Sequence, residues 1–156
     1  RGAAMIVGET KLTRVLVGRL EAGEWLHEAL LEMARLERVD AAMVRGQGIL
    51  DLAELELWEP ARRAYGAPLR LSGALELASL SGSVSLRGGA PDVRLHAVVA
   101  GLGGEPGSPG CAGGRLARGR AVAVELALDV YDDGDLDRSV DDPVTGLPLW
   151  RTPRRR

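Results

Sequence analysis

The chain has 156 residues, 46% of them hydrophobic and 27% charged, and its 20 basic and 22 acidic residues leave a net charge of −2. That length and balance describe one globular domain with enough chain to bury a core. They give no net-basic surface of the kind a dedicated duplex-DNA binder uses, and three Trp, two Tyr and no Phe offer little on which to stack single-stranded bases.

No uncharged apolar run is long enough to cross a membrane as a helix. The first residues, Arg1 to Val7, lack the apolar stretch of a signal peptide. Cys111 is the single cysteine, which excludes an internal disulfide and a four-cysteine zinc knuckle. These features set the expectation of a cytoplasmic protein with no membrane partner.

In chain order, Thr13 to Leu20 reads as a strand, with Val15 and Val17 on one face and Leu16 on the other. Gly23 and Glu24 open a helix whose Leu26, Ala29, Leu30 and Met33 recur at helical spacing and form a buried stripe. It is predicted to end near Arg38. His27 lies beside that stripe as a polar flank. Ala41 to Val44 is a short strand broken by Gly46-Gln47-Gly48. From Leu50 to Trp58 the apolar parity slips by one residue, as a β-bulge would make it do; Glu54 and Glu56 then face solvent or a partner chain.

Glu59-Pro60 begins a turn that runs to Gly66. Leu75 to Leu80 alternates, and Ser81-Gly82 interrupts it before Val84 and Leu86. Arg87 to Asp92 is a turn, Val93 to Ala100 a strong strand, and Gly101 to Gly114 a loop rich in Gly and Pro. Ala121 to Val130 carries the cleanest alternation, with Val122, Val124, Leu126, Leu128 and Val130 on one face. One helix among many strands joined by short turns implies an α/β protein of the α+β type: a mostly antiparallel sheet with one main helix packed on it.

Past Tyr131 the composition changes. Asp132 to Asp142 holds six aspartates against Arg138, and the chain ends in an arginine-rich stretch. Residues 132–156 therefore read as an acidic and then Arg-rich tail, either disordered or docked through Leu147 and Trp150.

Several short stretches, spread from about Lys11 to Tyr131, resemble the "plants and prokaryotes conserved" (PPC) domain in its prokaryotic stand-alone form. The Arg14-Val15-Leu16-Val17 strand precedes Gly23-Glu24 and a helix, as in that family. Gly46-Gln47-Gly48 stands where the family has a glycine-rich turn. Glu76-Leu77-Ala78-Ser79-Leu80-Ser81-Gly82-Ser83 is similar to its E-L-L-S-L-S-G-N/S stretch. Leu95-His96-Ala97-Val98-Val99, Gly113-Gly114-Arg115-Leu116 and Val124-Glu125-Leu126 follow in the family order. The resemblance places a PPC-like domain at residues 11–131 and implies a homotrimer built on an antiparallel sheet. The family is often labelled DNA-binding. In its plant members, however, a separate AT-hook with an Arg-Gly-Arg-Pro core enters the minor groove. Here Arg118-Gly119-Arg120 is followed by Ala121 and leads into a strand, so it is not a hook.

In prokaryotic relatives the strand matching Val93 to Val99 often reads His-x-His, and the segment matching Gly113 to Leu116 often reads Gly-Gly-His, a set that resembles a metal site. This chain has Arg94-Leu95-His96 and Gly113-Gly114-Arg115. Arginine stays protonated and cannot ligate a metal, so neither a metal nor another cofactor is expected. Two readings remain for the ligand-binding candidates Arg94, His96, Arg115 and Glu125. Two guanidiniums and an imidazole can hold a carboxylate or phosphate, or the arginines pair with an acid such as Glu125.

Other signals fail. Cys111 in a Gly/Pro loop reads as a free surface thiol rather than a nucleophile served by His96. Gly101 to Gly107 departs from the dinucleotide fingerprint, with Pro106 at the last glycine position and no following helix. Asp133-x-Asp135-x-Asp137 begins like a calcium loop, but Arg138 replaces its glycine and Val144 its bidentate glutamate. The sequence thus supports a non-enzymatic, homotrimeric binding or assembly module with weak or indirect nucleic-acid association. The alternative is a small-ligand or anion-binding protein with a pocket around Arg94, His96 and Arg115.

Overall fold

A computed structural model describes residues 7–101, 110–132 and 136–150. In chain order the elements are β1 (Lys11–Leu20), α1 (Leu26–Leu36), β2 (Ala42–Glu56), β3 (Trp58–Glu59), β4 (Ala64–Tyr65), β5 (Leu69–Arg87), β6 (Ala90–Ala100) and β7 (Cys111–Asp132). Five strands form one antiparallel sheet in the order β1-β7-β2-β5-β6, and β3 and β4 make a small separate hairpin. The α+β class expected from the sequence, a mostly antiparallel sheet with one main helix, is what the described residues adopt.

The sheet also closes on itself. The 22 residues of β7 pair with β1 and β2 through their later part, while Cys111 to Leu116 pair with β6. Leu116 therefore stands opposite Leu55 on one side and Leu95 on the other, and Arg115 stands between Glu56 and His96. A strand this long must bend to meet two partners. The β2–β7 register shifts near Leu50, Leu52 and Leu55 supply the extra residues that bend it. The β-bulge expected within Leu50 to Trp58 is among them. One bulge lies at Val122, between the pairs Ile49–Ala123 and Leu50–Ala121. It turns Val122 outward, so the buried row of β7 is Ala121, Val124, Leu126, Leu128 and Val130, not the unbroken alternation that begins at Val122.

Three expected interruptions are strand instead. β2 runs straight through Gly46-Gln47-Gly48, β5 through Ser81-Gly82, and β7 begins at Cys111. The glycines mark close approach of neighbouring backbones rather than breaks. A Cβ on Gly82 would lie 2.2 Å from the Arg94 carbonyl oxygen, and one on Gly114 would lie 2.7 Å from that of Glu56.

The apolar stripe of α1 supplies Leu26, Leu30 and Ala34 to the core, where they meet Leu50, Leu75, Leu77, Leu95, Leu116 and Leu128. The helix ends where expected. The Val39 N–H donates to the Ala34 carbonyl at 2.8 Å, and Arg38 takes a positive φ of 53°, a left-handed ending that satisfies the last carbonyls. Among the described residues no helix is long and apolar enough to cross a membrane.

Candidate functional site

The strand alternation of β6 sends Leu95, Ala97 and Val99 into the core and leaves Asp92, Arg94 and His96 on the opposite face. Antiparallel pairing with β5 sets Ser85 opposite Asp92, Ser83 opposite Arg94 and Ser81 opposite His96. On the other side of β6, sheet closure sets Arg115 opposite His96, with Glu56 beyond it. Three of the four sequence candidates, Arg94, His96 and Arg115, are thereby brought together on one outward face.

Glu125 is not with them. It lies ten residues further along β7 than Arg115, opposite Gln47 and Arg19. The acid that meets Arg115 is Glu56, with 3.4 Å between Nε and Oε2, and the Arg115 guanidinium also stacks over the Tyr65 ring at 4.4 Å. The pairing envisaged with Glu125 is thus replaced by one with the cross-strand neighbour.

A further arginine joins the group from residues beyond the sheet. Leu136 to Ser139 lie alongside the end of β5. The Leu86 N–H donates to the Leu136 carbonyl at 3.2 Å, the Arg138 N–H to the Leu86 carbonyl at 2.8 Å, and the Gly88 N–H to the Ser139 hydroxyl at 2.8 Å. This strap lays Arg138 over the serine row, where it is only 5% exposed. Its Nη2 donates to Ser83 Oγ at 2.6 Å, and the Trp150 ring centre lies 5.1 Å from its guanidinium carbon. Nη1 lies 4.0 Å from an Asp92 carboxylate oxygen and is buried without a hydrogen-bond partner among the described residues.

The electrostatics follow from this crowding. Burial, reinforced by the Arg94 charge and opposed by Asp92, lowers the Arg138 pKa to about 10, which still leaves it protonated at neutral pH. Burial, then Arg94, Arg115 and Arg138, lowers the His96 pKa and favours its neutral ring. The half-buried His27 is also pushed down, chiefly by burial, and its Nδ1 has no hydrogen-bond partner among the described residues.

Chemically, the face offers hydrogen-bond donors and positive charge. Among the described residues no three His, Cys, Asp or Glu side chains cluster as a metal site would require, and the neighbours of His96 are cations, which do not fit a bound dication. Cys111 is exposed and pairs with Ala100, four register steps from His96, so the two form no nucleophile–base pair. Arg118-Gly119-Arg120 lies within β7, with Arg118 stacked over Trp25 at 4.0 Å and Arg120 bonded to Asp51 at 2.8 Å. Residues 102–109 of the glycine loop, Asp133, Asp135 and the terminal arginines lie outside the described residues. Sequence reading missed Arg138 because it sits among aspartates; its only signal was being the single cation in that run.

This closed antiparallel sheet, with its helix and its basic face on β6, defines a small α+β domain. The Plants and Prokaryotes Conserved domain model, abbreviated PCC or PPC, matches residues 7–130, and the chain belongs to that family. It is similar to a plant- and prokaryote-conserved protein from Pyrococcus horikoshii, at 28% identity over 97% of this chain and 100% of that one, with a TM-score of 0.82. It is also similar to a metal-containing protein from Archaeoglobus fulgidus, at 26% identity over 94% and 99% of the two chains, with a TM-score of 0.83. A candidate DNA-binding protein from Ralstonia eutropha JMP134 shares the fold at 23% identity over 94% and 97%, with a TM-score of 0.75. No curated protein matches the chain significantly.

Proposed function

We propose that this protein is a non-enzymatic assembly and binding module of the PPC type that works as a homotrimer. The observation that carries the reading is an uncovered apolar strip on the outer face of β1, β7 and β2. Val17 is 80% exposed, Val15 48%, Ile49 40% and Met43 38%. Their registers put them on one surface: Val17 stands opposite Ala127 and Val15 opposite Asp129 on β7, while Met43 and Ile49 pair with Asp129 and Ala123. A shallow hollow lined by Val17, Arg19, Arg45, Gln47, Glu125 and Ala127 lies on this face. A mid-strand valine left that open is a site for another chain to cover, and the Arg45–Asp129 ion pair beside it, at 2.9 Å, gives the rim a polar register. Light scattering on a gel-filtration column should return about three times the 16.5 kDa chain mass. Val17→Glu should shift the protein to monomer, and a clean monomer of the unmodified protein at micromolar concentration would remove the trimer.

Association with DNA is the second part of this reading, supported by the family label and by the Ralstonia relative. The balanced charge and the placement of Arg118-Gly119-Arg120 within a strand favour a weak, sequence-nonspecific contact. Fluorescence anisotropy with duplex DNA at physiological salt should give an affinity no tighter than about micromolar, the range of phosphate contacts without base readout. Nanomolar binding to a defined sequence would overturn it. No set of acid, base and nucleophile on the described face supports an enzyme.

A further inference from the structure

We infer that Arg94, His96 and the strap residue Arg138 form a binding site for a small phosphate-type anion. Two observations carry this. First, Arg138 is almost wholly buried while one of its guanidinium nitrogens has no hydrogen-bond partner among the described residues. Buried guanidinium donors are costly to leave unpaired. Its nearest acid, Asp92, is 4.0 Å away, beyond hydrogen-bond reach. Second, the charges around it do not balance by contact. Arg115 has Glu56 and Tyr65, whereas Arg94 makes no ion pair among the described residues and repels Arg138. An anion held beside Arg94 and Arg138 would offset the two positive charges.

The donor geometry favours phosphate over a lone carboxylate. Arg94 and His96 rise from β6, Arg138 comes in from the strap, and the hydroxyls of Ser81 and Ser83 stand on β5. Donors that converge from different elements match the several oxygens of a tetrahedral anion, and forked guanidiniums bind them in pairs. The imidazole completes the set as an N–H donor.

The site does not depend on trimer formation. The test is isothermal titration with inorganic phosphate in a buffer free of other oxyanions, with light scattering on the same sample. A dissociation constant below about 1 mM is expected, weakened about tenfold or more, over 1.4 kcal/mol, by Arg94→Gln and by Arg138→Met. Arg35→Gln, on the exposed side of α1, should bind as the unmodified protein does. If Arg138→Met fails to fold, Arg94→Gln decides alone, because Arg94 is only half-buried. Failure of the unmodified protein to bind phosphate, or binding that Arg94→Gln leaves unchanged, overturns the site. A monomer that binds phosphate would refute the assembly reading and leave this one standing. Equal affinity for inorganic phosphate and for a dialkyl phosphodiester would move the ligand to nucleic-acid backbone and also overturn it.

Discussion

Gly48→Ala should cost the protein more than about 4 kcal/mol, a loss found for only a few kinds of substitution, and should leave it close to unfolding. Gly48 sits where β2 crosses β7, at a φ of +149°, and a Cβ there would lie 2.2 Å from the Ala123 carbonyl oxygen and 2.8 Å from the Val124 Cα. Both are backbone atoms in the middle of the sheet, so no side chain can swing aside to make room. The two strands would have to separate along their shared register, which contains the buried residues Leu50 and Val124. Gly73→Ala is the control. Its φ of +110° is equally unsuited to alanine, yet nothing lies within 4 Å of the added carbon. It should cost only backbone strain, about 1–3 kcal/mol. Denaturant unfolding of the two variants separates steric exclusion from strain. Comparable stabilities would mean that β2 does not lie as close to β7 as the structure has it. With a total stability on the order of 5–15 kcal/mol for a domain of this kind, only the Gly48 variant should approach loss of fold.

The same residue shows what was and was not legible in the sequence. The alternation in β1, in Val93 to Ala100 and in the later part of β7 exposed the strands, because a half-buried strand writes its period into side-chain polarity. The spacing of Leu26, Leu30 and Met33 likewise exposed the helix. Gly48 and Gly82 misled, since a glycine that ends a strand and a glycine that lets two strands touch look alike without knowledge of the partner. Cys111 to Arg120 was hidden for a related reason. Gly114 is required by the Glu56 carbonyl, far away in sequence, and with Gly113 and Gly119 it dilutes the apolar pattern.

For the site, Arg94 and His96 were placed on one face by local spacing alone, and the family order brought Arg115 to them. The partner of Arg115 was not legible, because Glu56 reaches it through the pairing of β2 with β7, two strands far apart in the sequence. Arg138 was less legible still, because its position depends on backbone bonds between Leu86 and residues 136 and 138 that no periodicity announces.

The unmodified protein is expected to carry no stoichiometric zinc, and two substitutions should install it. Zinc takes three or four His, Cys or carboxylate ligands. Around His96 the sheet places Arg115 across the strand pair and Arg94 two residues along, and Arg138 also acts on its ring electrostatically. None of the three can donate a lone pair. Each also repels a dication: two like unit charges 4 Å apart cost about 4 kcal/mol at an effective dielectric of 20, and a doubly charged ion doubles that.

Arg94→His combined with Arg115→His reverses the first effect and removes two of the three charges. It would set three imidazoles on one face, two from alternate positions of β6 and one directly across on β7, where facing side chains start about 5 Å apart. Elemental analysis should then rise from none to about one zinc per chain, and adding Arg138→Met should tighten binding further by removing the last nearby cation. Circular dichroism must accompany the measurement, because Arg115→His leaves the buried Glu56 carboxylate without its partner at 3.4 Å. A folded double variant that binds no zinc would mean that positions 94, 96 and 115 do not converge as the registers of β6 and β7 require. One zinc per chain in the unmodified protein, lost on His96→Ala, would mean that the arginines turn away from the imidazole and that other ligands complete the site.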